Sequence, residues 1–204
     1  MAASGKLVEA LRELSRWYDH PAVAPEEQAA LIDLLGQLAG SVIYSQRHLL
    51  IPAYQVQPGD TLETIAMQYQ IPWQLLAKIN GIDNSKSLTP GEVLKVIRGP
   101  FNAQLNCQQD YLALFVDGLY AGRFPVQGGK MLTKPDGPYA VAKFAADNPT
   151  NASRRPYISL GGDLYLFVPD NSTPPAAGSL GISQRDMEDV FDMLSERSKI
   201  TIRR

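Results

Sequence analysis

The chain has 204 residues, 45% of them apolar, which is enough for one large or two small packed domains. Its formal net charge is −2 and no block is basic. Basic and acidic side chains number four and six in residues 1–52, four and four in residues 53–98, and eleven and eleven in residues 99–204. This balance excludes the electrostatic footprint of a nucleic-acid-binding protein and is compatible with a neutral polymeric partner.

The cysteine and histidine content limits the chemistry. Cys107 has no second cysteine, so no internal disulfide is possible and cysteine spacing cannot build a metal site. We also predict no metal and no cofactor. His20 and His48 both lie in the first quarter of the chain. No run of about 18 apolar residues is present, so we expect no membrane span. Residues 1–20 also lack the charged start and apolar run of a signal peptide.

Apolar residues at helical spacing predict two N-terminal helices. The first ends at Asp19-His20-Pro21 and contains Leu7, Val8, Leu11, Leu14, Trp17 and Tyr18. The second begins near Pro25, with Glu26 and Glu27 beside its positive end. It continues through Leu31, Ile32, Leu34, Leu35, Leu38, Val42 and Ile43. Residues 1–50 are thus a helical hairpin, too small for a secure core alone, which we expect to pack against a later domain. A role in partner binding is the alternative to this structural one.

Residues 53–98 have the pattern of a strand, two helices and a strand. Turn signals divide the segment at Pro58-Gly59-Asp60, Ile71-Pro72 and Asn80-Gly81. Between them we predict a strand at 54–56, a helix capped by Thr61, a helix from Trp73 and a closing strand at 93–97.

The same segment resembles a LysM domain. The resemblance rests on Tyr54-x-Val56-x-x-Gly59-Asp60-Thr61-Leu62-x-x-Ile65-Ala66-x-x-Tyr69, then Ile71-Pro72, Leu75, Asn80-Gly81-Ile82, Leu88, Gly91, Leu94 and Val96. It implies a βααβ fold that binds N-acetylglucosamine-containing polymers such as peptidoglycan or chitin.

The LysM resemblance places the sugar between two turns. The candidate glycan-binding residues are Gly59, Asp60, Thr61, Leu62, Asn80, Gly81, Ile82 and Asp83. Backbone amides and carbonyls there suit an N-acetyl group, while Leu62 and Ile82 suit its methyl group and the sugar face. The alternative is that Asp60, Thr61 and Asn80 only cap helices. One small groove is expected to bind weakly, because few contacts must offset the lost rigid-body entropy.

Residues 99–171 change to an all-β pattern. Alternating runs predict strands at 111–117, 119–126, 138–144, 157–160 and 163–168. Asp117-Gly118 predicts a tight hairpin between the first two. After Pro174-Pro175, the pattern predicts a helix at 184–195 and a last strand at 199–202.

Residues 100–204 resemble the L,D-transpeptidase (YkuD-type) catalytic domain, a β-rich fold that cross-links peptidoglycan peptides with a cysteine nucleophile. The resemblance rests on residues 111–118 and 123–126, 133–139, 158–161, Gly178, 182–186 and 199–202. The expected fold class is therefore α+β and multidomain: a helical hairpin at 1–50, a LysM module at 53–98 and a transpeptidase-like domain at 100–204.

The catalytic positions of that family hold unsuitable residues here. Aligned without a gap from Asp186 backwards, the nucleophilic cysteine of the family falls on Ser179 and its arginine on Gly181. The two family histidines fall on Ala177 and Phe167. The resemblance thus predicts that this domain has no catalytic residues, and that Phe167 and Ala177 make the pocket more apolar.

The family's chemistry needs a thiolate, which a neighbouring imidazole generates. No histidine follows residue 48, and Cys107 lies far in sequence from the motif, so we interpret it as a buried structural thiol. Ser179 with Lys199, Asp186 or Arg185 as a base is the alternative, but no spacing supports it.

These patterns together predict a non-catalytic peptidoglycan-binding protein whose transpeptidase-like domain is a pseudoenzyme. Its expected partners are peptidoglycan or a related N-acetylglucosamine polymer and, second, cell-wall enzymes, with no nucleic acid. The expected location is the cell envelope, periplasmic or extracytoplasmic, by means of a signal or anchor absent from this chain. The alternatives are an active cross-linking enzyme with an atypical site, and a structural or interaction protein whose LysM groove is also degenerate.

Overall fold

A computed structural model describes residues 2–83, 88–133, 135–144, 157–161, 164–169 and 178–204. The chain forms two compact units, Met1–Gly99 with Phe115–Gly122, and Pro100–Leu114 with Arg123–Arg204. The predicted hairpin and LysM module lie in the same unit, and the three-part division stays a prediction, because one compact unit can hold two modules. Within the described residues, no helix has the length and apolar character needed to cross a membrane.

The first unit begins with the predicted helical hairpin. Helix α1 spans Ala2–Ser15, and α2 spans Pro25–Ala39 and continues as a π-helix over Gly40–Tyr44. Pro25 lies in the first turn of α2, where a missing backbone N–H costs nothing, and two glutamates follow it at the positive helix end. The faces that meet in the hairpin bury Leu11, Leu35, Leu38, Val42 and Ile43.

Residues 115–122 of the same unit pack against this hairpin. The hairpin is too small for a secure core of its own, so packing against a later part of the chain was expected. The hydroxyl of Ser15 accepts a hydrogen bond of 2.8 Å from the backbone N–H of Tyr120. The hydroxyl of Tyr44 donates one of 2.7 Å to the carbonyl of Ala121. The ring of Tyr18 lies against the rings of Phe115 and Tyr120. Residues 115–122 therefore supply part of the core that the two helices lack.

The LysM segment folds as β1 (Tyr54–Gln55), α3 (Leu62–Tyr69), α4 (Trp73–Asn80) and β2 (Val93–Leu94), and its two strands pair antiparallel. Its core contains Val56, Leu62, Ile65, Leu75, Leu76, Ile79 and Leu94. Strand β2 is shorter than the predicted 93–97. The reason is that the backbone of Lys95 bonds the side chain of Asn80 and not a neighbouring strand.

The second unit carries most of a nine-stranded sheet. Its strands are β3 (Phe101–Asn106), β4 (Tyr111–Val116), β5 (Leu119–Gln127), β6 (Gly137–Ala140), β7 (Ala142–Phe144), β8 (Tyr157–Ser159), β9 (Tyr165–Phe167), β10 (Ser179–Ile182) and β11 (Lys199–Arg203). Helix α5 (Gln184–Met193) connects β10 to β11. The strand order is β6-β11-β3-β4-β5-β10-β9-β8-β7.

The sheet curls, because its two end strands are neighbours in the chain. Only Val141 separates β6 from β7, although the two strands stand at opposite ends of the order. The single strand predicted at 138–144 therefore divides at Val141, whose N–H bonds the carbonyl of Ser198. The prediction also missed β3 and β10. All four residues of β10 are buried, so this strand has no alternation to detect.

Candidate functional site

The first predicted sugar-contacting turn is held by the carboxylate of Asp60. One of its oxygens accepts a hydrogen bond of 2.7 Å from the hydroxyl of Tyr54 and another of 2.7 Å from the backbone N–H of Gln57. The bond to Asp60 is the main cause that raises the pKa of Tyr54. The preceding residue, Gly59, is exposed and has φ of +90°, a backbone conformation that residues other than glycine rarely adopt. The side chain of Asp60 thus fixes the turn from within.

Thr61 and Leu62 begin α3. The hydroxyl of Thr61 accepts the N–H of Thr64 at 3.2 Å, and the hydroxyl of Thr64 accepts the N–H of Thr61 at 3.0 Å, a reciprocal capping box. The side chain of Leu62 is fully buried and offers no surface to a ligand. The backbone N–H groups of Leu62 and Glu63 lie in the first helical turn, where no intrahelical acceptor exists, and they bond no described residue.

The second predicted turn is built on Asn80. Its Oδ1 accepts the N–H of Lys95 at 2.7 Å, and its Nδ2 donates to the carbonyls of Leu76 at 2.8 Å and Lys95 at 2.9 Å. The side chain of Asn80 therefore takes the place of a neighbouring strand beside Lys95. Gly81 ends α4 in the left-handed conformation, with φ of +67°.

The last two predicted glycan-binding residues, Ile82 and Asp83, follow Gly81 in the chain. The N–H of Ile82 donates to the carbonyl of Ala77 at 3.0 Å, and its side chain is half-buried, while Asp83 is exposed. Since the polar groups of Asp60, Thr61 and Asn80 serve the fold, the two turns offer a ligand mainly backbone groups, the side chain of Ile82 and the carboxylate of Asp83. The joining of both turns in one groove stays a prediction.

Lys95 is a residue that the sequence did not single out. Its side chain is 1% exposed, and its Nζ donates to the carbonyls of Val42, at 3.0 Å, and Ser45. These carbonyls lie at the end of the π-helix, where intrahelical donors run out. Burial lowers the pKa of Lys95 to about 8. No sequence signal indicates this role, because a lysine between Leu94 and Val96 has the pattern of an outward-facing strand residue.

The structure brings three of the four transpeptidase-like positions onto adjacent strands. Ser179 is 3% exposed at the start of β10 and pairs with Tyr165 of β9 in parallel register. Two residues further along, Gly181 pairs with the buried Phe167 of β9 and, on its other side, with Gln127 of β5. Ala177, the fourth position, lies outside the described residues.

The position of Gly181 has little room for a side chain. A Cβ there would lie 3.3 Å from Cγ of Pro169 and 3.5 Å from Cβ of Gln127. The first distance is shorter than ordinary van der Waals contact, so Pro169 would have to move. Any residue larger than glycine at this position therefore requires its neighbours to shift.

The cysteine chemistry of this domain is also constrained by burial. Cys107 is 2% exposed, and burial raises the pKa of its thiol, which favours the protonated form over the nucleophilic thiolate. Among the described residues, no group of three or more His, Cys, Asp and Glu side chains could hold a metal ion.

Comparison with solved structures gives weak overall similarity to L,D-transpeptidases and to one fused amidase/peptidase. An L,D-transpeptidase from Mycobacterium tuberculosis is 15% identical with a TM-score of 0.44, over 57% of this chain and 64% of that one. An L,D-transpeptidase from Mycobacterium smegmatis is 14% identical with a TM-score of 0.37, over 56% and 64%. A fused Zn-dependent amidase/peptidase/peptidoglycan-binding domain-containing protein from Clostridium acetobutylicum is 14% identical with a TM-score of 0.40, over 76% and 66%. The chain thus spans less than two thirds of the length of these proteins.

Comparison with families identifies the central module. No curated protein matches the chain. Residues 54–96 match the LysM domain family, as the motifs from Tyr54 to Val96 predicted. This segment of the chain is therefore a LysM domain, which implies binding of peptidoglycan or a related glycan and association with the cell wall.

Proposed function

We propose that this chain is a non-catalytic peptidoglycan-binding protein of the cell envelope, periplasmic or extracytoplasmic, with a pseudoenzyme domain of L,D-transpeptidase type. The observation that carries the proposal is the LysM domain at 54–96. Cell-wall enzymes are a second proposed class of partner, reached through the transpeptidase-like domain.

In this proposal the glycan lies between the turns at 59–62 and 80–83. The backbone N–H groups of Leu62 and Glu63, which bond no described residue, donate to an acetamido carbonyl. The half-buried side chain of Ile82 contacts the acetamido methyl, and Asp83 accepts from sugar hydroxyls. Asp60, Thr61 and Asn80 hold the two turns in shape, because their side chains already bond the protein.

Three observations support the absence of transpeptidase activity. No histidine follows residue 48, so no imidazole is available to ionise a nucleophile in the C-terminal half. Ser179, at the position of the family's cysteine, is buried in a strand, and a serine hydroxyl needs a base even more than a thiol does. Cys107 is buried with a raised thiol pKa. Loss of nucleophile and base together costs many orders of magnitude in rate.

Cosedimentation with purified sacculi tests the binding function. We expect the protein to pellet with sacculi, and Ile82→Asp to weaken this binding about tenfold or more, because a charge replaces the apolar contact. Val93→Asp is the matched control, since Val93 is an exposed apolar residue of the same domain outside both turns. Wild-type protein that stays in the supernatant would contradict the proposal and favour a structural or interaction role.

Incubation with a tetrapeptide donor, followed by mass spectrometry, tests the absence of catalysis. We expect no new cross-links above a protein-free control. New cross-links that disappear in Ser179→Ala would instead establish an enzyme with an atypical site.

A further inference from the structure

Lys95 connects the C-terminal end of the helical hairpin to the second turn of the LysM domain. The side chain of Lys95 bonds the carbonyls of Val42 and Ser45 at the end of the π-helix. The backbone of Lys95 is bonded twice by the side chain of Asn80, which begins the second turn. The segment after Ser45 and the turn after Asn80 are therefore held beside the same buried lysine.

Gln46 is the first residue of that segment to reach the turn. Its Nε2 donates to the carbonyl of Asn80 at 3.4 Å and lies 3.5 Å from the place where a Cβ on Gly81 would stand. The side chain of Gln46 is exposed, and its Oε1 accepts from no described residue. Because Gly81 has no side chain, the carboxamide of Gln46 and the backbone of the turn share one open surface.

We propose that Gln46, which lies outside the LysM domain, is a further glycan-binding residue and extends the groove beyond the second turn. The inference rests on the proposed glycan-binding function. A carboxamide donates and accepts at once, which suits the acetamido and hydroxyl groups of N-acetylglucosamine. The hairpin is then part of the binding site as well as part of the core.

The attachment through Lys95 also bears on affinity. A flexible glutamine loses side-chain entropy when it orders on a ligand, which reduces the gain from a new hydrogen bond. Here the backbone before Gln46 is fixed at Ser45, and its amide is already oriented by the carbonyl of Asn80. Less freedom remains to be lost when a sugar binds.

The test is a titration of the full chain with the N-acetylglucosamine tetramer, followed by NMR of backbone and side-chain amides. We expect the side-chain amide signals of Gln46 to shift together with the backbone signals of residues 59–62 and 80–83. The side-chain amide of Gln37, exposed on α2 of the same hairpin, is the matched control and should not shift. Gln46→Ala should weaken binding of the tetramer roughly three- to tenfold, the range of one net hydrogen bond, and Gln37→Ala should leave it unchanged.

The outcomes separate this inference from the function on which it rests. Shifts in both turns without a shift at Gln46, or an unchanged affinity in Gln46→Ala, would overturn the role of Gln46 and leave glycan binding intact. A tighter affinity in Gln46→Ala would also overturn it, because the side chain would then cover the groove. No shift anywhere, together with failure to pellet with sacculi, would remove the proposed function itself.

Discussion

The candidate site residues of the LysM domain and those of the second unit differ in how they contribute to the fold. Asp60 and Thr61 accept from backbone N–H groups of a turn and a helix start, and Asn80 bonds the backbone of Lys95, just after strand β2. Ser179 and Gly181 lie within a strand, where neighbouring backbones bond each other regardless of the side chain. Side chains that bond the backbone of turns are needed by the fold, whereas strand side chains can change while the strand persists.

Two neighbouring positions of the second unit, Pro169 and Gly181, also fit one another. Pro169 stands two residues after Phe167 and closes the space beside Gly181 to 3.3 Å. A side chain added at Gly181 would therefore press on Pro169. The LysM motif therefore reports on the fold as well as on binding, whereas a buried strand persists through its backbone bonds and packing.

The strongest expected effect concerns the close packing of Gly99 against the backbone at the end of α3. A Cβ on Gly99 would overlap the carbonyl oxygen of Gln70 at the end of α3, where backbone cannot yield as a flexible side chain can. We expect Gly99→Ala to lower the free energy of unfolding by about 3 kcal/mol in urea denaturation. Gly36→Ala is the control in the same unit. It lies in helix α2 with open space around it and should raise stability by about 0.5–1 kcal/mol. Equal effects of the two substitutions would show that Gly99 is not packed closely against Gln70.

The second prediction concerns the buried lysine of the first unit. Because the folded pKa of Lys95 is about 8 and its ordinary value is 10.5, folding penalises its charged form below pH 8. The penalty disappears as the pH rises from 8 to 10.5, so wild-type stability should rise relative to Lys95→Met by up to about 3 kcal/mol. Urea denaturation of both proteins across this range measures the difference.

The comparison of the two proteins isolates Lys95 from other titrating groups. The raised pKa values of Cys107 and Tyr54 act in the opposite direction, since the titration of each group lowers the stability of the folded protein as the pH rises. Both groups are present in wild type and variant, so their effects cancel in the difference. Parallel stability curves would mean that Lys95 is not buried as its contacts indicate.

The third prediction tests whether Gly181 and Pro169 of the second unit are energetically coupled. Gly181→Val should destabilise the protein by about 2 kcal/mol, because the added methyl groups press on Pro169 and Gln127. Pro169→Ala should relieve roughly half of this cost, so the double variant should be more stable than the two single changes predict. Urea denaturation of the four proteins gives the coupling energy. Strict additivity would mean that the two positions are independent.

The sequence predicted the elements that local chemistry controls. Pro25 at a helix start, Thr61 as a cap, Gly81 at a helix end and the Asp117-Gly118 turn, with φ of 49° and 73°, all lie where their residue types place them. Part of the LysM motif was identified for the same reason, since Gly59, Asp60 and Thr61 form a turn and a helix cap, while the spacing of its buried apolar residues supplied the rest.

Features that depend on contacts between segments distant in the chain could not be predicted from the sequence. Strand β10 is buried on both faces between β5 and β9, so nothing in its four residues alternates. The division at Val141 occurs because β6 and β7 pair with different partners at opposite ends of the sheet. In the candidate site, the burial of Leu62 and the contacts of Lys95 and Gln46 depend on which segments meet in space. A single sequence does not report that.

The smallest expected effect compares one helix cap from each region. Thr61→Ala and Ser183→Ala should each lower stability by about 1 kcal/mol, because Thr61 caps α3 through the N–H of Thr64 and Ser183 caps α5 through that of Asp186. Thr61→Ser keeps the capping hydroxyl and should retain both stability and affinity for the N-acetylglucosamine tetramer, measured by calorimetry. If Thr61→Ser is as stable as wild type but binds the tetramer more weakly, the threonine methyl contacts the sugar. Thr61 would then serve the ligand as well as the fold.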